Sequence, residues 1–292
     1  MANTPKISVV VPHYHDLIGL DKCLKALDNQ SLPRDRFEII VADNNSPEGE
    51  AAVAAAVGGR ARLVVIREKG AGPARNGGVA HARGEILAFT DSDCVPEPSW
   101  LAEGIDKLND YDFVGGRVTV LVDDAERMTA VEAFERVFAF DFKTYITRKG
   151  FTGAGNLFCA REMFEQVGGF RPAVSEDLEW SLRARSMGFR LGYAPSAIVG
   201  HPARRTWTEL CAKWARVNCE TYLLYCERPA GRLRWLLRSM ALPVSAFVHT
   251  PKVLTSDQLR KPRQRLSAIK VLFKIRLWRL SNALSLMAGK RV

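Results

Sequence analysis

The 292-residue chain lacks several features that would have settled its class at once. It has no C-x-x-C pair: Cys23, Cys94, Cys159, Cys211, Cys219 and Cys226 stand apart, so neither a zinc ribbon nor a disulfide framework is written in their spacing, and reduced thiols are expected. It has no charged-then-apolar leader, since residues 1–6 run straight into a strand pattern, and a cytoplasmic location is expected. Its longest uncharged stretch in the tail, Ser239 to Pro251, is broken by Pro243 and falls short of the ~20 apolar residues that span a bilayer. Internal repeats and low-complexity segments are missing too. So is acid from the tail: residues 231–292 carry 14 Lys/Arg against the single Asp257, a net +13, whereas the first 230 residues carry 28 against 31, a net −3. A mildly acidic body with a basic, apolar tail suits an anionic membrane surface. No nucleic-acid motif accompanies the charge, and the basic body surface such a protein wants is missing.

Strand and helix patterns alternate through the first hundred residues. Ile7-Ser8-Val9-Val10-Val11 is a β-branched run ended by Pro12, as expected of a buried parallel strand. A helix follows on Leu17, Leu20, Leu24 and Leu27. Phe37 to Ala42 forms a second strand closing on Asp43-Asn44-Asn45-Ser46, and an Ala-rich helix over 48–57 stops at Gly58-Gly59. Leu63 to Ile66 is a third strand; Gly70-Ala71-Gly72-Pro73 then opens a helix. Ile86 to Thr90 is a fourth, ending at Asp91. Such a βαβ series builds a parallel sheet. Beyond it, Phe113–Val122 reads as one or two strands, 126–148 as mostly helical, Asn156–Ala160 as a strand, and Ser175 as the start of a helix closed by Gly188. A helix over 206–227 follows His201.

Ligands of parallel α/β sheets bind beyond the carboxyl ends of the strands. Asp91-Ser92-Asp93 offers two carboxylates there, on opposite sides of an extended chain, and Mg²⁺ or Mn²⁺ takes such carboxylates together with substrate phosphates. A bare D-x-D is equally a solvated turn capping the next helix. Pro12, Asp43 and Arg75 also fall at strand ends along the same edge. Asp43 can accept from a pyrimidine N–H or a ribose hydroxyl, and Arg75 can contact base or phosphate. Taken singly, each of these has a plain turn or helix-end explanation.

The ordered set resembles glycosyltransferase family 2. The matching stretches are Ile7–Pro12, Glu38–Ser46, Gly72-Pro73-Ala74-Arg75-Asn76-Gly77-Gly78, Ile86–Asp93, and Gly153-Ala154-Gly155-Asn156 through Ser175-Glu176-Asp177, spanning about residues 6–220. The resemblance implies an α/β GT-A-like (Rossmann-like) fold, a mixed, mostly parallel sheet flanked by helices. Residues 1–230 would form the catalytic domain, with a nucleotide-binding half (1–115) and an acceptor and catalytic half (116–230); residues 231–292 would be a basic amphipathic helical tail. It implies an inverting, metal-dependent glycosyltransferase that moves a sugar from a nucleoside diphosphate, a UDP-sugar favoured, to a hydroxyl of a lipid-linked or growing glycan in cell-surface polysaccharide synthesis. By the same likeness Pro12, Asp43, Arg75 and Asp91 bind the nucleoside, Asp93 the metal bridging the diphosphate, and Asp177 is the base. His201 resembles a histidine that some members use as a further ligand to Mn²⁺, though a histidine hydrogen-bonded in a loop reads the same.

Asn156, Glu176, Trp180, Lys213 and Arg216 are candidates for acceptor or diphosphate contacts; for Trp180, core packing is the alternative. The pattern Gln-x-x-Arg-Trp of processive members is replaced by Leu210-Cys211-Ala212-Lys213-Trp214, which points to one sugar per encounter. Trp235, Trp278, Leu236, Leu237 and Phe273 among basic residues suit an interfacial helix on the cytoplasmic face of a membrane, or a helical subdomain with snorkelling Lys and Arg. A non-catalytic nucleotide- or glycan-binding protein on the same fold is the alternative to an enzyme, although mere binding has no need of Asp177.

Overall fold

A computed structural model describes residues 6–289; residues 1–5 and 290–292 lie outside the described residues. Its strands are β1 (Ile7–His13), β2 (Phe37–Asp43), β3 (Arg62–Val65), β4 (Ile86–Thr90), β5 (Val95–Pro96), β6 (Phe113–Leu121), β7 (Asn156–Ala160) and β8 (Leu191–Pro202). They form one mixed sheet in the order β3-β2-β1-β4-β7-β6-β8-β5. The pairs β3–β2, β2–β1 and β1–β4 are parallel, while β7 runs antiparallel to both β4 and β6. Every residue of β1 and β2 is buried, which is why both are mostly apolar; their inner polar residues, Ser8 and Glu38, satisfy each other by a 2.7 Å hydrogen bond.

The helices of this part are α1 (Leu17–Asp28), α2 (Glu50–Val57), α3 (Ala71–Ala80), α4 (Trp100–Lys107), α5 (Ala130–Phe138), α6 (Phe142–Thr144), α7 (Arg161–Val167) and α8 (Glu176–Ser186). Asp16 caps α1 by accepting the Gly19 N–H, and Gly58 closes α2 in the left-handed region, φ +57°. Helix α3 lies close against the sheet: a Cβ on Gly78 would stand 2.6 Å from Val10 Cγ1. That approach sets the first turn of α3, with Arg75, beside the carboxyl ends of the central strands.

The rest of the chain is helical: α9 (Trp207–Cys226), α10 (Gly231–Met240), α11 (Leu242–Leu254) and α12 (Pro262–Met287). By packing, the molecule divides into two compact units. One runs to Thr119 and resumes over Asp141–His201; the other comprises Val120–Phe140 and the chain from Pro202 onward. The tail therefore shares its unit with α5 and α9. Val131, Phe134 and Val137 of α5 are buried in one core with Leu210 of α9 and Ala268, Leu272 and Ile275 of α12.

Segment 126–148, expected to be mostly helical, comprises α5, α6 and a wide helical turn over Tyr145–Lys149 that ends at Gly150, φ +74°. No helix among the described residues is long and apolar enough to cross a membrane.

Candidate active site

The strand ends β1 and β2 meet in register at His13 and Asp43. Asp43 is buried, and its carboxylate is held by three donors. Its Oδ1 accepts from His13 Nδ1 at 2.8 Å and from Ser46 Oγ at 2.5 Å, and its Oδ2 accepts the Ser46 N–H at 3.0 Å. His13 Nε2 accepts the Asp16 N–H at 3.3 Å, which leaves the Nδ1 proton for Asp43. His13 and Ser46 thus fix the orientation of Asp43. The available sequence signal was a histidine closing an otherwise apolar, fully buried strand. Pro12 precedes His13 inside β1 and is buried there.

Arg75 is the hub of the next cluster. Nη2 donates to Asp91 Oδ1 at 2.5 Å and Nη1 to Glu176 Oε1 at 3.0 Å, so Arg75 joins the end of β4 to the start of α8, Glu176 lying 101 residues beyond it in sequence. Burial by itself would weaken the proton's hold, but the charges of Asp91 and Glu176 outweigh it and raise the guanidinium's pKa. Its Nε is buried with no hydrogen-bond partner, so one donor of the guanidinium remains unused. Gly155 gives Asp91 its room: a Cβ there would lie 2.6 Å from Asp91 Oδ2.

Asp177 follows Glu176 in the first turn of α8. Its Oδ1 accepts the Leu178 N–H at 2.7 Å and the Ser175 hydroxyl at 3.3 Å. Burial pushes its carboxyl up to about 6, the charge of Glu176 adds to the rise, and Leu178 N–H, Arg75 and Ser175 pull the other way. A carboxylate of that basicity is mostly ionised at neutral pH and still accepts a proton readily.

Asp93 sits one turn beyond Asp91, and β8 brings His201 to it, Nε2 to Oδ2 at 3.4 Å. The Cys94 thiol joins them, the three donor atoms lying within 4.8 Å of one another. Burial, with the nearby Asp91 and Asp93 charges, raises the Cys94 pKa well above the usual thiol value. A carboxylate and an imidazole converging in this way fit a divalent metal of the Mn²⁺ kind.

The weaker candidates lie elsewhere. Asn156 is fully buried and its carboxamide is used internally: Oδ1 accepts from Trp100 Nε1 at 2.9 Å, and Nδ2 donates to the Arg117 and Ala197 carbonyls at 3.0 Å each. Trp180 is also fully buried. It packs among Phe113, Phe164 and Phe170 and donates to the Gly168 carbonyl, so no face of its ring is open to stack a sugar. Lys213 and Arg216 belong to the second unit. Lys213 pairs with Glu135 at 3.3 Å, and its burial pulls the pKa down to about 8; Arg216 faces Glu220 at 4.0 Å. Arg204 pairs with Glu135 at 3.1 Å, and Arg205 with Asp123 at 2.9 Å.

The mixed, mostly parallel sheet is that of the GT-A fold of nucleotide-sugar glycosyltransferases, and the oriented carboxylate, the arginine-bridged acid cluster and the D-x-D turn lie at its strand ends. Comparison with known proteins agrees. The profile of Glycosyl transferase family 2 matches residues 8–169, and the chain belongs to that family. It is 32% identical over 222 residues to glycosyltransferase AglE of Haloferax volcanii, covering 73% of this chain and 72% of that one. It is 27% identical over 237 residues to the probable glycosyltransferase YdaM of Bacillus subtilis, covering 75% of this chain and 56% of that one. Among solved structures it superposes on the mannosyltransferase PcManGT of Pyrobaculum calidifontis, in complex with GDP-Man and Mn²⁺, with a TM-score of 0.53. That match has 20% identity and covers 98% of this chain and 75% of the other. The TM-score to TarS of S. aureus is also 0.53, at 14% identity, covering 96% of this chain and 55% of TarS.

Proposed function

We propose that the enzyme transfers a sugar, with inversion, from a nucleoside-diphosphate donor to a hydroxyl of a lipid-linked or growing glycan. The observation that carries this reading is Asp177, a carboxylate raised to about 6 beside the Arg75–Asp91–Glu176 cluster. Asp177 takes the acceptor's hydroxyl proton as the oxygen forms its bond to the anomeric carbon. On the opposite face the bond from that carbon to the phosphate oxygen breaks, and the nucleoside diphosphate leaves with the electron pair. Asp43, oriented by His13 and Ser46, and Arg75, through its unpartnered Nε, bind the nucleoside. Glu176, held by Arg75, helps to position the acceptor.

Asp93 and His201 are the residues to hold a divalent metal, Mn²⁺ or Mg²⁺, which when bound offsets the charge of the diphosphate. A UDP-sugar is the favoured donor because Asp43 suits a pyrimidine N–H. The Leu210 and Lys213 replacements in the Gln-x-x-Arg-Trp pattern support one sugar per encounter. The basic tail supports peripheral attachment at the cytoplasmic face of a membrane, in cell-surface polysaccharide synthesis. A panel of nucleoside-diphosphate sugars tests the donor assignment. With Mn²⁺ present, UDP-sugars should raise the melting temperature and be turned over; stabilisation by GDP-sugars alone would overturn the uridine preference.

A further inference from the structure

Sequence patterning puts the membrane-contacting surface on Trp235, Leu236, Leu237, Phe273 and Trp278. Of these, the packing leaves Leu237 well exposed and buries Trp235. Helix α12 turns Ala268, Leu272, Ile275 and Ala283 into the core while exposing Leu266, Leu277 and Leu284, which stand seven or more residues apart. Closely spaced apolar side chains left in solvent line up on α10 and α11. On α10, Leu233, Leu237 and Met240 recur at helical spacing along one exposed stripe, opposite buried Trp235 and Ser239. On α11, Val244, Phe247 and Val248 do the same, continued by Leu254, opposite buried Ala246 and Val253. Phe247 and Val248 are 68% and 69% exposed. A soluble surface helix carries polar residues along the middle of its outer face; these two carry apolar ones.

Charge sits where an interfacial helix wants it. At about 100° per residue, Arg232 and Arg234 fall on the two flanks of the α10 stripe, and Lys252 falls on one flank of α11. Residues 231–254 contain no acid, and Arg260, Lys261 and Arg263 follow within a few residues, all exposed. An apolar centre with cationic edges matches an anionic bilayer, where the side chains enter the acyl boundary and the guanidinium groups meet phosphates. A second copy of this chain would set like charges against each other, the tail being net +13.

We infer that the outer faces of α10 and α11 are a docking surface for an anionic lipid membrane. The inference rests on the reading of the tail as membrane-contacting, and it narrows that reading to the outer faces of α10 and α11. Its consequence is that acceptors embedded in the same bilayer are met at raised local concentration.

Co-sedimentation of the full chain with phosphatidylcholine vesicles, with and without phosphatidylglycerol, tests it. Three forms are compared: unaltered protein, Leu237→Ser/Val248→Ser, and Arg232→Gln/Arg234→Gln. Phe247 is left in place because its ring packs edge-on against Phe273 at 4.8 Å. The unaltered chain should bind only the anionic vesicles. The serine pair should bind at least tenfold more weakly, and the glutamine pair about fivefold more weakly for each charge removed. Thermal melting and donor binding should stay unchanged in both variants, so a failure here is separate from a failure of the transferase reading. Vesicle binding that persists in the serine pair overturns the assignment to α10 and α11 while leaving membrane contact standing. No vesicle binding at all overturns both. So does a concentration-dependent dimer that the serine pair abolishes, which would assign the face to a second copy.

Discussion

Replacing Arg75 with methionine keeps most of the side chain's length and removes its charge. The guanidinium is buried and bridges Asp91 at 2.5 Å and Glu176 at 3.0 Å, with Asp177 next in sequence. Without it three carboxylates share one pocket with no counter-charge. Breaking a buried ion pair by removing one partner costs about 3–5 kcal/mol. The side chains of Asp91 and Glu176 are 33% and 15% exposed, so water screens part of the repulsion and about 3 kcal/mol is the expected loss. At about 2–4 °C per kcal/mol for a chain of this order of size, the melting temperature should fall by roughly 6–12 °C at neutral pH. The loss should shrink on acidification, because protonating the acids relieves their repulsion. Arg75 also lowers the Asp177 pKa, so the acid limb of the pH–rate profile must move upward from about 6 in the variant. Differential scanning calorimetry at pH 5 and pH 7.5, with donor hydrolysis followed against pH, measures both effects. A melting temperature within 1 °C of the parent at both pH values, with an unmoved limb, would refute the role of Arg75 as the hub.

Other outcomes follow from the same geometry. In the unaltered enzyme, kcat should rise with pH through about 6 to a plateau, since the raised Asp177 must lose its proton before it can accept one; a rate flat from pH 5 to 8 would contradict this. Gly155→Ala drives a methyl group against Asp91 Oδ2 and should cost about 1–3 kcal/mol, with weaker donor binding in calorimetric titration than a remote Gly→Ala change gives. His201→Ala should lower Mn²⁺ affinity by at least about tenfold, read by the loss of Mn²⁺-dependent thermal stabilisation, while nucleotide binding without metal stays as it was.

The first hundred residues were legible because their physics is local. Strands β1 and β2 are buried on both faces and so read as largely apolar runs, broken inside only by Ser8 and Glu38, while Gly58 and Pro73 punctuate the helices that follow them. Strand β8 was not legible. It carries Gly192 and Pro195 and alternates irregularly, and it is a strand because sheet neighbours supply its pairing. Arg279 interrupts the apolar pattern of α12 for a related reason. Arg279 is itself buried, its guanidinium 3.5 Å from the centre of the Trp214 ring, so an apparent break in the pattern is part of the core. In the site, Arg75, Asp91, Glu176 and Asp177 could be named from sequence order, but the salt bridges that join them span long stretches of chain and leave no local mark. The same holds for His13, whose task is visible only once Asp43 lies beside it.

The most direct test of the central claim is Asp177→Asn, assayed for sugar transfer and for donor binding on the same preparation. Asparagine keeps the shape and the contact with the Leu178 N–H but cannot accept the acceptor's proton. Transfer should fall by about 10²–10⁴-fold while the dissociation constant for the donor changes by less than about threefold. Turnover within a few-fold of the parent would remove Asp177 from the chemistry and contradict the account.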